Sequence, residues 1–319
     1  MDRGDCDPVV SIVTPVHRTQ PAFLREAIDS VRAQSETRWQ LVIVLDASTE
    51  ECAVVARSMA ADDARIRVVG EVGGRPLGSS GARNFGVAST TAPLLAFLDA
   101  DDVFEPQWLH ERLRILRANP EAAMVYGNTL YWHSWSGTPS APDSAPALGV
   151  PSGTLQTPPA LVSRFITGQA AVPCTCSIVV RRSVLDAVGG FDATFRDLYD
   201  DQAVYSRIAL RYPIVADDQV LDRYRQHSDS MTARADAAHE ARARLRFLDW
   251  LEREITRAGV TDVELAQSVA RERWKLAHPR LARILRTVRR TARGLLSGLG
   301  QRSASPTGRS DTRGATNAS

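Results

Sequence analysis

The chain has 319 residues, of which 44% are hydrophobic and 24% charged, and its formal net charge at pH 7 is +2. This length and apolar content allow a substantial buried core, in one large domain or two small ones. No apolar run approaches the roughly 20 residues that span a bilayer, and the acidic start, Met1–Asp7, is unlike a signal peptide, so we expect a cytoplasmic protein. The four cysteines lack zinc-type pairing and are expected to be thiols.

The charge is distributed unevenly along the chain. From Arg271 to Ser319 there are twelve lysines and arginines against two acids, so this part carries +10 and the first 270 residues carry −8. Apolar residues among the arginines of 279–299 predict a basic amphipathic helix. Such a helix can lie peripherally on the inner face of the plasma membrane, bind a partner or stay in solvent. Nucleic acid is not an expected partner.

The first ninety residues alternate predicted strands and helices. Strands are predicted at 9–16, 41–45 and 66–69, and helices at 23–32 and 49–61. This alternation is typical of an α/β fold whose mostly parallel, Rossmann-like sheet is flanked by helices, because right-handed crossovers place such strands side by side. Further helices are predicted at 108–118, 184–188 and 236–258 and from Asp200, and further strands at 93–98, 123–126, 176–180, near 215 and at 220–223. Pro15 is expected to end the first strand because it cannot donate to a ladder.

Three carboxylates follow the apolar run 93–98 within four residues: Asp99, Asp101 and Asp102. Open α/β sheets bind ligands outside the carboxyl ends of their strands, which is where these acids are expected. Carboxylate oxygens suit Mg²⁺ or Mn²⁺, and Mg²⁺ commonly takes one or two carboxylates together with substrate phosphates. The alternative is that the pair Asp101-Asp102 merely caps the following helix, which Glu105 and Pro106 would open.

A glycine-rich loop at 73–81 leads into a predicted helix that starts at Ala82. Glycines permit close approach of a ligand to the backbone, and a helix N-terminus attracts phosphate. The glycine spacing is not that of a Walker loop, so this loop alone is weak evidence for nucleotide binding. Arg83, expected in the first turn, can reach a diphosphate or pair with a surface acid.

Motifs spread from Val9 to Thr232 carry a resemblance to a known family. In chain order they are VSIVTPV, VLDAST, GSSGARNFGVA, FLDADD, an RRS…VGGFD stretch, YDDQ and YRQHSDSMT. In this order and spacing the chain resembles the family 2 glycosyltransferases, inverting enzymes with the GT-A fold. We therefore expect a GT-A catalytic domain over 1–232, a helical C-terminal extension over 233–300 that is basic from 271, and a disordered tail over 301–319.

The resemblance implies a set of contacts to a nucleotide-diphosphate sugar. Pro15 and Asp46 would hold the nucleobase, with Asp46 bonding a ring nitrogen. Asp99, the first acid of a DXD motif, would meet the ribose. Arg83 and Asn84 would lie near the phosphates.

The resemblance also implies a metal ion and a general base. Asp101 would bind Mn²⁺ or Mg²⁺ on the diphosphate. His227 is a candidate third ligand or phosphate contact, with a structural histidine as the alternative. Asp201 would take the proton of the acceptor hydroxyl as it attacks the anomeric carbon, so one base and no covalent nucleophile suffice.

The chain departs from the family pattern in three places. The usual Asp-Asp-Gly-Ser is Leu45-Asp46-Ala47-Ser48 here, the usual Tyr-Asn after the first proline is His17-Arg18, and the usual Glu-Asp base pair is Asp200-Asp201. These changes leave the chemistry possible but blur the nucleotide and donor preference.

The expected function is metal-dependent transfer of a single sugar to a hydroxyl of a glycan, lipid-linked or small-molecule acceptor, in bacterial cell-surface glycan synthesis. Single transfer is expected because the processive synthases of the family carry transmembrane helices. The alternative is a catalytically silent protein that binds a nucleotide-sugar and acts as a regulator or partner. The presence of all the donor-site acids and the candidate base argues against silence. A nucleotidyltransferase would need a basic glycine-rich signature after the first strand, which 15–19 lacks.

Overall fold

The computed structural model describes residues 7–195, 198–228, 230 and 236–284. The predictions for Met231, Thr232 and residues 285–319 lie outside these described residues. The chain divides into two compact units, Met1–Glu272 and Arg273–Ser319. The domain boundary expected at 232/233 stays a prediction. None of the described helices is both long and apolar enough to cross a membrane.

Strands and helices alternate through the first half of the chain, as expected. The strands are β1 (Val10–Val16), β2 (Trp39–Ser48), β3 (Ile66–Val72), β4 (Leu94–Phe97), β5 (Val103–Phe104), β6 (Met124–Trp132), β7 (Leu155–Gln156), β8 (Ile178–Arg181) and β9 (Ile214–Arg225). The helices are α1 (Pro21–Arg32), α2 (Glu50–Asp62), α3 (Gly78–Ala88), α4 (Trp108–Ala118), α5 (Ala160–Thr167), α6 (Arg182–Ala187), α7 (Asp200–Ala209), α8 (Ala237–Arg257) and α9 (Val263–Ala277).

The described strands form one sheet in the order β3-β2-β1-β4-β8-β6-β9-β5, with β7 paired to β9. The first four are parallel, so their carboxyl ends meet at one edge. β8 is antiparallel to both of its neighbours, whereas β6 and β9 are parallel to each other. The α/β prediction of a mostly parallel sheet flanked by helices is confirmed.

Pro15 does not end the first strand, because β1 continues to Val16 and pairs Pro15 with Val44 of β2. The peptide groups of Val13 and Pro15 both face the side of β1 on which β4 lies. On that side the carbonyl of Val13 accepts the N–H of Leu98, the residue just after β4. The ladder between β1 and β4 ends at Val13 and Phe97, so Pro15 lies beyond it on that side. Its missing donor therefore removes no hydrogen bond from this ladder.

Two other local predictions are wrong. The segments near 215 and at 220–223 form one long strand, β9, that pairs with β6 through register shifts. Helix α3 begins at Gly78, four residues before Ala82, so Arg83 lies in its second turn. Gly86 lets this helix approach the sheet closely, since a Cβ there would lie 2.3 Å from a methyl carbon of Val13.

Candidate active site

The carboxyl ends of β2 and β4 bring the predicted acids to one edge of the sheet. Asp46 is part of β2, and the turn after β4 carries Asp99, Asp101 and Asp102, closed by the N–H of Asp102 donating to the Asp99 carbonyl. Asp46 and Asp102 are buried, whereas the side chains of Asp99 and Asp101 are 31% and 26% exposed. Asp99 and Asp101 are therefore the more accessible carboxylates at this edge, and a ligand can reach Asp46 only through its few accessible atoms.

Asp101 and His227, the two predicted metal ligands, are in direct contact. Nε2 of His227 lies 2.9 Å from Oδ2 of Asp101. The two side chains are thus hydrogen-bonded to each other, and a Mn²⁺ or Mg²⁺ ion would have to replace that hydrogen bond to take both as ligands. Within the described residues, no group of three or more His, Cys, Asp or Glu side chains could hold a metal ion. The protein part of such a site would therefore consist of two ligands, with substrate phosphates and water supplying the rest.

Negative charge accumulates in this turn. Burial raises the pKa of Asp102 well above its usual range, and the charges of Asp101 and Asp99 raise it further. A divalent cation beside Asp101 would offset that charge, so the electrostatics of the turn suit a metal ion.

Asp102 does not cap a helix, because β5 follows it and α4 begins only at Trp108. Its carboxylate instead accepts the backbone N–H of Arg225 at 3.0 Å. Nε of Arg225 donates back to the carbonyl of Asp101 at 2.7 Å, and its guanidinium lies 4.2 Å from the ring centroid of Phe23. Sequence reasoning assigned no role to Arg225. Its place in the YRQH motif, two residues before His227, was the available signal.

Arg83 links this turn to helix α7. Nη2 of Arg83 donates to Asp99 at 2.8 Å, and Nη1 donates to Asp200 at 2.7 Å. The arginine side chain is only 6% exposed, and the two carboxylates raise its pKa against the effect of burial. Asp200 also accepts the hydroxyl of Ser79 at 2.6 Å. Arg83 is thus committed to two acids, and a diphosphate would have to approach beside them.

Asp201, the predicted base, lies next to this pair at the start of α7. Its carboxylate accepts the N–H of Gln202 at 2.6 Å, and no ion pair to it occurs among the described residues. Burial raises the pKa of Asp201 to about 7, and the charge of Asp200 adds to the effect. A carboxylate with a pKa near the working pH is suited to general base catalysis.

Asp46 closes the glycine-rich loop. Its two oxygens accept the N–H groups of Leu77 and Gly78 at 2.6 and 3.1 Å, at the N-terminus of α3. The carbonyl of Asp46 lies 2.7 Å from Nδ1 of His17, which follows the β1 strand of Pro15. The helix N-terminus expected to attract phosphate therefore already has a carboxylate against it.

Asn84 is engaged with a turn rather than with the acids. Its amide group donates to the carbonyl of Phe191 at 2.8 Å, and its oxygen accepts the Phe191 N–H at 2.9 Å. The phosphate contact predicted for Asn84 stays a prediction.

Comparisons with known proteins show the family of the chain and its fold. The sequence model of glycosyl transferase family 2 matches residues 11–189, which is more than half of the chain. The O-antigen biosynthesis protein RfbC of Myxococcus xanthus is 37% identical over 120 residues, covering 37% of this chain and 9% of RfbC. The matched part spans only 9% to 26% of the length of three curated relatives.

Two solved structures share the fold. S. aureus TarS 1–349 in complex with UDP-GlcNAc has a TM-score of 0.63 at 12% identity, covering 85% of this chain and 73% of that one. The mannosyltransferase PcManGT from Pyrobaculum calidifontis, in complex with GDP-Man and Mn²⁺, has a TM-score of 0.58 at 15% identity, covering 92% and 81%. The chain therefore belongs to glycosyl transferase family 2 and has the GT-A fold.

Proposed function

We propose that the chain is a metal-dependent, inverting glycosyltransferase that moves one sugar from a nucleotide-diphosphate sugar to an acceptor hydroxyl. The observation that supports this most is the bridge that Arg83 makes between Asp99 and Asp200. Asp99 belongs to the turn in which Asp101 contacts His227, and Asp200 is next to Asp201, whose pKa of about 7 suits a base.

In this proposal each group has one task. Asp101 and His227 hold Mn²⁺ or Mg²⁺, which when bound offsets the charge of the departing nucleoside diphosphate. Asp99 meets the ribose while remaining paired with Arg83. Asp201 accepts the proton of the acceptor hydroxyl as its oxygen attacks the anomeric carbon. The direct displacement inverts that carbon and needs no covalent intermediate.

The nucleobase would bind over Pro15 and Asp46, between the end of β1 and the glycine-rich loop. Because Asp46 bonds Leu77 and Gly78, a base would use the remaining lone pairs of this carboxylate. TarS and PcManGT are seen in complex with UDP-GlcNAc and GDP-Man, which supports a nucleotide sugar as the donor class. The likeness to RfbC supports an acceptor in bacterial cell-surface polysaccharide synthesis.

The C-terminal part adds a proposed peripheral membrane contact. Trp274, Leu281 and Ile284 expose 39%, 51% and 59% of their surface in a region where the chain carries a large excess of arginine. Apolar side chains among basic ones favour the surface of an anionic bilayer. Such a contact would suit a lipid-linked acceptor.

Incubation of the full chain with Mn²⁺ and either UDP-GlcNAc or GDP-Man tests the proposal. We expect one donor to raise the melting temperature in a Mn²⁺-dependent way and to release nucleoside diphosphate slowly, with water as the acceptor. Asp201→Asn should keep the thermal shift and lose the release. A donor that binds without release in either protein would support the silent, regulatory alternative instead.

A further inference from the structure

The backbone immediately before the proposed base is held in an unusual conformation. Tyr199, the residue before α7, has φ 70° and ψ 10°, in the left-handed region. Among the described non-glycine residues only Ala47 and Tyr199 have positive φ. Ala47 follows Asp46, and Tyr199 precedes Asp200 and Asp201. A bulky residue persists in this region only when its surroundings hold it there.

Helix α8 supplies those surroundings. The ring of Tyr199 stacks on Phe247 of α8, with centroids 5.0 Å apart and planes 17° apart, and the Arg244 guanidinium lies 5.7 Å from the tyrosine ring centroid. Phe247 is 1% exposed and also packs against Phe195 and Trp250. The half-buried tyrosine ring thus packs on a buried aromatic cluster of Phe195, Phe247 and Trp250.

A second contact fixes α8 to the same loop. Nε1 of Trp250 donates to Asp192 at 3.0 Å, and Asp192 also accepts from Arg207 of α7 at 2.8 Å. Helix α8 therefore holds the chain both at 192 and at 199. It lies beyond residue 189, where the match to the family ends.

We propose that Tyr199, stacked on Phe247, is a positioning residue that holds Asp201 in place for proton transfer. This inference rests on the proposed function. Asp200 is anchored by Ser79 and Arg83, whereas Asp201 bonds only the neighbouring Gln202 N–H among the described residues. The direction in which the chain enters α7 therefore decides where the carboxylate of Asp201 lies.

The test uses the stability of the full chain, so it does not depend on turnover. The half-buried carboxylate of Asp201, held beside Asp200, destabilises the folded protein once it ionises, and Asp201→Asn removes that charge. The charged and titratable groups facing Asp201 are Asp200 and Tyr205 on α7, Arg83 on α3, Asp99 after β4 and the hydroxyl of Tyr199. Of these only the Tyr199 hydroxyl differs between the variants, and Tyr199→Phe controls for its loss. We measure the melting temperature of Asp201→Asn minus that of the wild type at pH 8 and at pH 5. We expect this difference to be larger at pH 8 by about 3 °C or more, and we call that increase the gain.

In a Tyr199→Gly background this gain should fall by at least half, because glycine tolerates the same φ but lacks the ring. Phe247→Leu should reduce the gain in the same way, and this variant tests the inference if Tyr199→Gly does not fold. Tyr199→Phe keeps the ring and should keep the gain. Leu265→Ala, which removes a buried side chain elsewhere, should lower stability and leave the gain unchanged. An equal gain in all backgrounds would overturn the inference.

Turnover separates this inference from the proposed function. In the nucleotide-release assay Tyr199→Gly should lower kcat by about 10- to 100-fold with the donor KM unchanged. In the Asp201→Asn background it should cause no further loss. If the wild type releases no nucleotide, the proposed function fails and the stability result still decides the positioning role. A full additional loss in the double variant would contradict that role.

Discussion

Nε2 of His227 lies 2.9 Å from Oδ2 of Asp101, although 126 positions separate the two residues. They meet because β5, which starts just after Asp101, pairs antiparallel with the end of β9, just before His227. Arg225 then joins the two strands by bonding the backbone of Asp101 and the carboxylate of Asp102. The pairing of β5 with β9 thus brings the turn of Asp101 next to the segment that carries His227.

Asp101→Ala should abolish Mn²⁺-dependent donor binding, because it removes the carboxylate expected on the ion. Isothermal calorimetry with Mn²⁺ and UDP or GDP measures this, and His227→Ala should weaken binding in the same way. Asp62→Ala, an exposed acid at the end of α2, is the matched control and should bind normally. Unchanged affinity in Asp101→Ala would refute the metal assignment.

Asp201→Asn should lower kcat by about 10²–10⁴-fold, the usual effect of losing a general base. Asparagine keeps the size of aspartate but cannot take a proton, so donor affinity should stay within about twofold. Steady-state nucleotide release and calorimetry on the same protein give both numbers. A variant that fails mainly in donor binding would contradict the role of Asp201 as base.

The rate should depend on pH through Asp201, because burial and Asp200 raise its pKa to about 7. Only the ionised carboxylate accepts a proton, so kcat should fall about tenfold per unit below pH 7 and level off above it. The sign for stability is opposite. Between about pH 4 and 7 the folded state binds more protons at Asp201 than the unfolded state, so this group lowers stability as pH rises. A kcat that is flat from pH 5.5 to 7 would argue against Asp201.

Arg83→Met should lower the free energy of unfolding by about 3–5 kcal/mol at pH 7.5, because it leaves Asp99 and Asp200 without their buried cation. The loss should shrink below about pH 4, where protonated carboxyls need no partner. Urea unfolding at both pH values measures it. Arg114→Ala breaks a pair with Glu111 in which the arginine is 55% exposed, and it should cost no more than about 0.5 kcal/mol. Equal losses for the two variants would contradict the bridging role of Arg83.

The basic C-terminal part should bind anionic vesicles reversibly. Each arginine near such a surface is worth about 1 kcal/mol, and the effect falls off within a Debye length. Replacing the six arginines between 280 and 293 by glutamine should therefore release the full chain from phosphatidylglycerol vesicles at low salt. Co-sedimentation measures this, with neutral vesicles as the control. If both proteins sediment alike, the basic segment is not the anchor.

The sequence by itself determined the fold class and the identity of the chemical groups. Apolar runs of strand length alternating with helical spacing predicted the parallel half of the sheet, because the periodicity of a buried element is local. The same holds for Asp46, Asp99 and Asp101, which follow or end such runs. The acidic turn thus follows from a local pattern, whereas the pair at 200–201 and the roles of these acids follow from the resemblance to the family 2 glycosyltransferases.

Only the tertiary structure decided which of these groups meet and which are already paired. Arg83 bridges Asp99 and Asp200, and the arginine and Asp200 are 117 positions apart in the chain. The stacking of Tyr199 on Phe247 of α8 joins residues about fifty positions apart. No local pattern predicts such partners, because burial and ion pairing depend on elements that are distant in the sequence and meet only in the folded chain. For the same reason Pro15 could continue its strand, and Asp102 could bind Arg225 instead of capping a helix.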